Sequence, residues 1–188
     1  SGYGTAFYPD YHRKLNLVKV RMSKLLYLLR HADSVPVQMH QTDAERNLSM
    51  SGIQDCIKMG EYLAENNFCV DIIYASSSTR TRTTSRIVAE KSKIDPEKII
   101  YKDDLYEASL RTFLQIINSI SDIHQSAMFV GHNPVISNLA EYFTRRKAVT
   151  MDPCTLVSIK FDIRSWKELY QSTGEIVQCI HARSIRTE

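Results

Sequence analysis

The chain has little that would mark it as disulfide-stapled, metal-loaded or membrane-bound. Its four cysteines, at 56, 69, 154 and 179, form no CxxC and no paired short spacing, which argues against a zinc site. They read as reduced core or surface thiols of a reducing compartment. No His/Asp cluster stands at ligand spacing, so neither a metal nor another cofactor is expected. No apolar run has the length of a membrane span and no signal-peptide core is visible. The expectation is therefore a cytoplasmic protein without a membrane partner. A net charge of +3 is too small to argue for nucleic acid as a partner. Internal repeats and low-complexity segments are also lacking.

What is present fits one globular domain. The 188 residues are 43% hydrophobic and 24% charged, enough for one sizeable core. Residues 1–21 differ from the rest: they open Ser1-Gly2 and are rich in Tyr and basic residues. Met22-Ser23-Lys24 then leads directly into an apolar run and reads like a natural start. Residues 1–21 are expected to be a tag or N-terminal tail, and 22–188 the domain.

From Met22 onward short apolar runs alternate with amphipathic stretches. Residues 25–29, 70–75, 99–101 and 127–130 read as strands. Ser51 and Gln54 suggest a capping box for a helix burying Ile53, Cys56, Ile57, Gly60, Leu63 and Ala64. A second helix is expected over 79–91. Ser109 can cap a third, with Leu110, Phe113, Leu114, Ile117 and Ile120 as its core stripe. Asn133 and Pro134 suit the N-cap and first position of a fourth. Two more strands follow, at 155–161 and 175–180, without a long helix between them. The pattern predicts an α/β three-layer sandwich: a mostly parallel central sheet flanked by helices, with one antiparallel strand at or near an edge.

Ligands of such sheets sit beyond the carboxyl ends of the strands. Arg30 and His31 follow the first strand, Ser76-Ser77-Ser78-Thr79-Arg80 the second, Leu105-Tyr106-Glu107 the third, and Gly131-His132-Asn133-Pro134 the fourth. Two histidines, two arginines and one carboxylate thus fall at one end of the sheet. Arginine forks suit the oxygens of a phosphoryl group. A histidine with one ring nitrogen held by a neighbour can act as nucleophile through the other. At 100° per residue Arg80 shares the helix sector of Thr84, Ile87 and Val88, whereas Arg82 and Arg86 point away as surface charges. The helix amino terminus adds a favourable field for an anion. Ser34 and Ser77 are possible phosphate donors, or simply turn residues. Arg46 is either at the site mouth or a loop charge. His12 lies in the suspected tail, and His40, His124 and His181 read as solvated.

The motifs carry a family resemblance. Leu29-Arg30-His31-Ala32 resembles the Arg-His-Gly/Ala signature of the histidine phosphatase superfamily, the phosphoglycerate-mutase-like proteins. Ser76 to Thr84 resembles its second block, with a phosphate-binding arginine and a threonine four residues on. Val130-Gly131-His132-Asn133-Pro134 resembles the block of the second histidine. The segment 43–49 followed by Gly52 resembles the link between the first two blocks. Leu105-Tyr106-Glu107-Ala108 resembles the acidic block of the small SixA-type branch, the phosphohistidine phosphatases; the Trp166 region does so more loosely.

The resemblance implies a phosphoglycerate-mutase-like fold and a metal-independent phosphatase. His31 would be the phosphorylated nucleophile, Arg30, Arg80 and His132 the phosphoryl-binding groups, and Glu107 the proton donor. Mutase-type members usually have asparagine six residues after the nucleophile; here that residue is Val37, and no long lid insertion is present. Both points favour an open site that admits a phosphorylated protein, such as a phosphotransfer domain of a signalling relay, with inorganic phosphate as product. The alternatives are a broad phosphomonoesterase on small metabolites and a non-catalytic phosphoprotein-binding module.

Overall fold

The computed structural model describes residues 23–146 and 149–186; the suspected tail and Met22 lie outside the described residues. Strand β1 (Lys24–Arg30) is apolar on both faces and almost wholly buried. Its alternate residues feed two separate cores. Tyr27 and Leu29 pack with Cys56, Met59 and Leu63 of helix α1 (Met50–Glu65) and with Val88 and Ala89 of helix α2 (Thr79–Lys91). Leu26 and Leu28 pack with Phe113 and Ile117 of helix α3 (Leu110–Asn118) and with Ile136, Leu139 and Phe143 of helix α4 (Val135–Phe143). That is the expected three-layer arrangement, and it follows from the two-residue period of a strand buried on both faces.

The remaining strands are β2 (Ile72–Ser76), β3 (Ile99–Lys102), β4 (Ser126–Gly131), β5 (Thr155–Phe161) and β6 (Glu175–His181). They form one six-stranded sheet in the order β3-β2-β4-β1-β5-β6. Strands β3, β2, β4 and β1 run parallel, while β5 pairs antiparallel with both β1 and β6. The one reversed strand thus lies next to an edge. Because β4 sits between β1 and β2, the residues that follow these three strands emerge side by side.

Two helix starts differ from the sequence reading. Ser49, not Ser51, caps α1: its backbone is extended and its side chain accepts from the Gly52 N–H, so Ser51 and Gln54 lie within the helix. Asn133 does not cap α4, and Pro134 stands at the N-cap instead. The Asn133 amide is used elsewhere, its Nδ2 donating to the Met151 carbonyl and its Oδ1 accepting from the Ser137 hydroxyl. Cys56 and Cys154 are buried free thiols; Cys69 and Cys179 are exposed ones. Among the described residues no helix is long and apolar enough to cross a membrane.

Candidate active site

At the carboxyl ends of β1, β4 and β2 lies a cavity of about 280 Å³ lined by Arg30, His31, Asp33, Ser34, Arg46, Arg80, His132, Asn133 and Pro153. The backbone sets the first of these. The His31 N–H donates to the Gly131 carbonyl (3.0 Å), extending the β1–β4 pairing by one residue, and the Cys154 N–H donates to the His31 carbonyl (3.2 Å). His31 and His132 therefore leave adjacent strands at the same level, with ring centroids 5.2 Å apart.

One contact selects the tautomer of the His31 ring. Its Nδ1 is 2.7 Å from the carbonyl oxygen of Ala32. A carbonyl only accepts, so Nδ1 carries the proton and Nε2 of the neutral ring keeps its lone pair. Ala32 is itself pinned. Its N–H donates to Thr84 Oγ1 (3.1 Å), and that hydroxyl donates to the Arg80 carbonyl one turn back along α2 (2.7 Å). The threonine in the second sequence block thus fixes the peptide that aims the nucleophile candidate and joins it to the helix carrying Arg80.

Burial holds the His31 imidazole neutral, its pKa pushed down to about 4, with the charges of Arg80, Arg30 and Arg46 acting in the same direction. Burial also pushes His132 down to about 3, helped by His31 and Arg80. His132 Nε2 lies 2.9 Å from Ser76 Oγ at the end of β2.

Three buried nitrogens in this cavity's lining residues have no partner in the protein: Arg30 Nε, Arg80 Nε and His132 Nδ1. Each guanidinium is anchored by its far end. Arg30 Nη1 donates to the Met151 carbonyl (2.8 Å), and the two Nη atoms of Arg80 are occupied by Asp43. Buried polar groups are ordinarily paired. Three of them on cationic or donor side chains around one small polar cavity suit a tetrahedral oxyanion.

Arg30, His31, Arg80, His132 and Ser34 all line the cavity, whereas Ser77 and Glu107 do not. Ser76, one residue earlier than expected, presents its hydroxyl to His132, because successive residues at a strand end face opposite ways. Glu107 is exposed in the bend before α3, next in the chain to Tyr106. The Tyr106 ring, not Glu107, meets His132 edge-on (5.6 Å). Arg46 belongs to the site. Its Nη2 donates to Ser34 Oγ (2.8 Å) and its Nε to the Val35 carbonyl (2.8 Å). Arg82 lies outside it, its guanidinium over the Tyr101 ring. Asp43 and Tyr106 were not singled out from the sequence; the signal lay only in their adjacency to motif residues.

Residues 26–113 match the family model described as histidine phosphatase superfamily, branch 1. The match includes Arg30, His31, Arg80 and Glu107 and stops short of His132. The uncharacterized protein Rv1276c of Mycobacterium tuberculosis is 33% identical over 98 residues, covering 52% of this chain and 59% of that protein. The match thus spans well under two thirds of that relative's length. Among solved structures, a candidate phosphohistidine phosphatase SixA of Agrobacterium tumefaciens superposes with a TM-score of 0.71 at 22% identity, covering 84% of this chain and 97% of that one. The phosphoglycerate mutase of Bacillus anthracis does so with a TM-score of 0.62 at 14% identity, covering 85% and 93%. At such identities the likeness is one of fold.

Proposed function

We propose that this chain is a histidine phosphatase working through a phosphohistidine on His31, with phosphohistidine of a signalling protein as its substrate; the match of residues 26–113 to the histidine phosphatase superfamily model supports this reading. The observation that carries this reading is the neutral, Nδ1-anchored His31 facing a small cavity ringed by buried donors that no protein atom satisfies. Neutral Nε2 attacks phosphorus in line while the P–leaving-group bond breaks. Arg30, Arg80 and His132 hold the equatorial oxygens as their charge rises. Water then attacks the phosphohistidine, inorganic phosphate leaves, and His31 returns to its neutral form.

Glu107, exposed and next to Tyr106 in the chain, is the proposed proton donor and, in the second step, base. A leaving group that needs little help from an acid suits an acid that is exposed and does not line the cavity. The imidazole of a phosphohistidine leaves as a neutral ring when its other nitrogen is protonated, whereas a sugar alkoxide demands a full proton at the moment of cleavage. The segment between Ser34 and Arg46 also supports a large partner. Val37 and Met39 are 51% and 87% exposed on the segment between the lining residues Ser34 and Arg46, and exposed apolar side chains there suit a protein partner.

The test is direct. Hydrolysis of p-nitrophenyl phosphate should be measurable in the wild type and lost in His31→Ala. Acid-labile, alkali-stable phosphate should be trapped on His31. A phosphotransfer domain phosphorylated on histidine should turn over faster than sugar phosphates. The reverse preference would make the protein a small-molecule phosphomonoesterase. Anion binding without turnover would make it a phosphoprotein-binding module.

A further inference from the structure

Asp43 lies in the segment between β1 and α1, far in sequence from Arg80 and Tyr106. Its carbonyl oxygen accepts from Arg80 Nη1 (2.6 Å) and its Oδ2 from Arg80 Nη2 (2.8 Å). Oδ2 also accepts from the Tyr106 hydroxyl (2.7 Å), and Oδ1 from Arg46 Nη1 (3.0 Å). The carboxylate is therefore gripped from three side chains, although it is half exposed. These bonds, that of Tyr106 first, hold its pKa well below the ordinary carboxylate range.

A guanidinium is a planar fork with five N–H groups. With Asp43 on both Nη atoms, the edge left to a ligand runs from Nε to the second hydrogen of Nη2. Arg80 Nε is buried without a protein partner. The centroid of the Tyr106 ring lies 5.8 Å from the Arg80 guanidinium carbon and 5.6 Å from that of the His132 ring, which it meets edge-on. We infer that Asp43 is a positioning residue: by gripping the outer fork of Arg80 it turns the Nε edge toward the bound oxyanion, with Tyr106 and Arg46 holding Asp43 itself in place. The inference rests on the phosphatase reading only for the identity of the anion.

The contrary view makes Asp43 an internal stand-in for phosphate that a ligand must displace. The two differ in sign. By charge alone, removing a carboxylate beside Arg80 raises the local positive potential and tightens anion binding. If Asp43 positions Arg80, its removal frees the guanidinium and weakens binding.

The experiment is titration calorimetry of tungstate, a tetrahedral oxyanion, at pH 7 on wild type, Asp43→Ala, Asp43→Asn, Arg80→Ala and the Asp43→Ala/Arg80→Ala double variant. Loss of a charge-assisted anchor should weaken tungstate in Asp43→Ala on the order of tenfold. Asp43→Asn, which keeps an acceptor oxygen, should recover part of that loss and guards against a folding defect in Asp43→Ala. In the Arg80→Ala background Asp43→Ala should cost nothing further, because its effect runs through Arg80; a merely structural role would add in full. Unchanged or tighter binding in Asp43→Ala, full additivity in the double variant, or no binding to the wild type overturns the inference. Absence of p-nitrophenyl phosphate hydrolysis by a wild type that binds tungstate would sink the phosphatase reading alone and leave the cycle to decide the role of Asp43.

Discussion

Acid should destabilise this protein through its two site histidines before its carboxylates are reached. The ordinary imidazole pKa of 6.5 falls to about 4 at His31 because burial penalises the charged ring. A group whose pKa is lower folded than unfolded binds fewer protons in the native state. Stability is then complete above pH 6.5 and drains away as pH falls toward the folded value. For His31 the gap of about two and a half units is worth about 3 kcal/mol between pH 7 and pH 4. His132, pushed to about 3, extends the loss to lower pH, and the two protons oppose each other across 5.2 Å. Set against roughly 5–15 kcal/mol for a typical domain, 3 kcal/mol is a large share. Asp43, whose pKa is lowered from 3.8, begins to lose its contribution only as pH falls through that value, so its window opens where that of His31 closes and overlaps the lower end of that of His132. The assay is urea denaturation of wild type and His31→Gln at pH 7, 6, 5 and 4, in buffers free of phosphate, since a bound anion would favour the charged ring. Wild type should lose about 3 kcal/mol more than the variant. Parallel stability profiles for the two proteins would refute the claim that His31 is held neutral by burial.

Further expectations follow from single contacts. Thr84→Val removes the acceptor of the Ala32 N–H while keeping the volume; p-nitrophenyl phosphate turnover should fall and urea stability drop by about 1–3 kcal/mol. In Gly52→Ala the new Cβ would collide with the Asp33 carbonyl oxygen at the start of α1. Chemical denaturation should show a loss of about 1–3 kcal/mol or more, together with reduced kcat/KM, because Asp33 lines the cavity. Trp166 is fully buried and its Nε1 donates to the His124 carbonyl (2.9 Å); Trp166→Ala should cost about 3–5 kcal/mol in urea and leave tungstate affinity unchanged.

The sheet was legible because its signals are local. A doubly buried β1 needs an unbroken apolar run, and residues 25–29 supply one; helix α2 falls on 79–91 in both sequence and structure, with Ser78 at its N-cap and its buried positions, Arg80, Thr81, Thr84, Ser85, Val88 and Ala89, recurring at helical spacing. The helix starts were harder. Ser49 and Ser51 are both good caps, and their hydroxyls lie 2.9 Å apart, so only the extended backbone of Ser49 decides between them. Asn133 also had two uses, and the tertiary one, toward Met151, won.

The site divides along the same line. Residues on strand ends were predictable, because a parallel sheet delivers its carboxyl ends to one edge: Arg30, His31 and His132 arrive there whatever the loops do. Asp43 and Tyr106 meet across 63 positions of sequence. Their contact exists only once β2, β3 and α2 have placed the bend at 103–107 against the segment at 43–45. No period or spacing encodes such a contact. The same reasoning explains Glu107. The sequence block suggests an acidic residue for the site but not which of two neighbours faces inward. The structure turns Tyr106 toward His132 and leaves Glu107 exposed, so the ring that meets His132 and the acid expected to serve the site occupy adjacent positions.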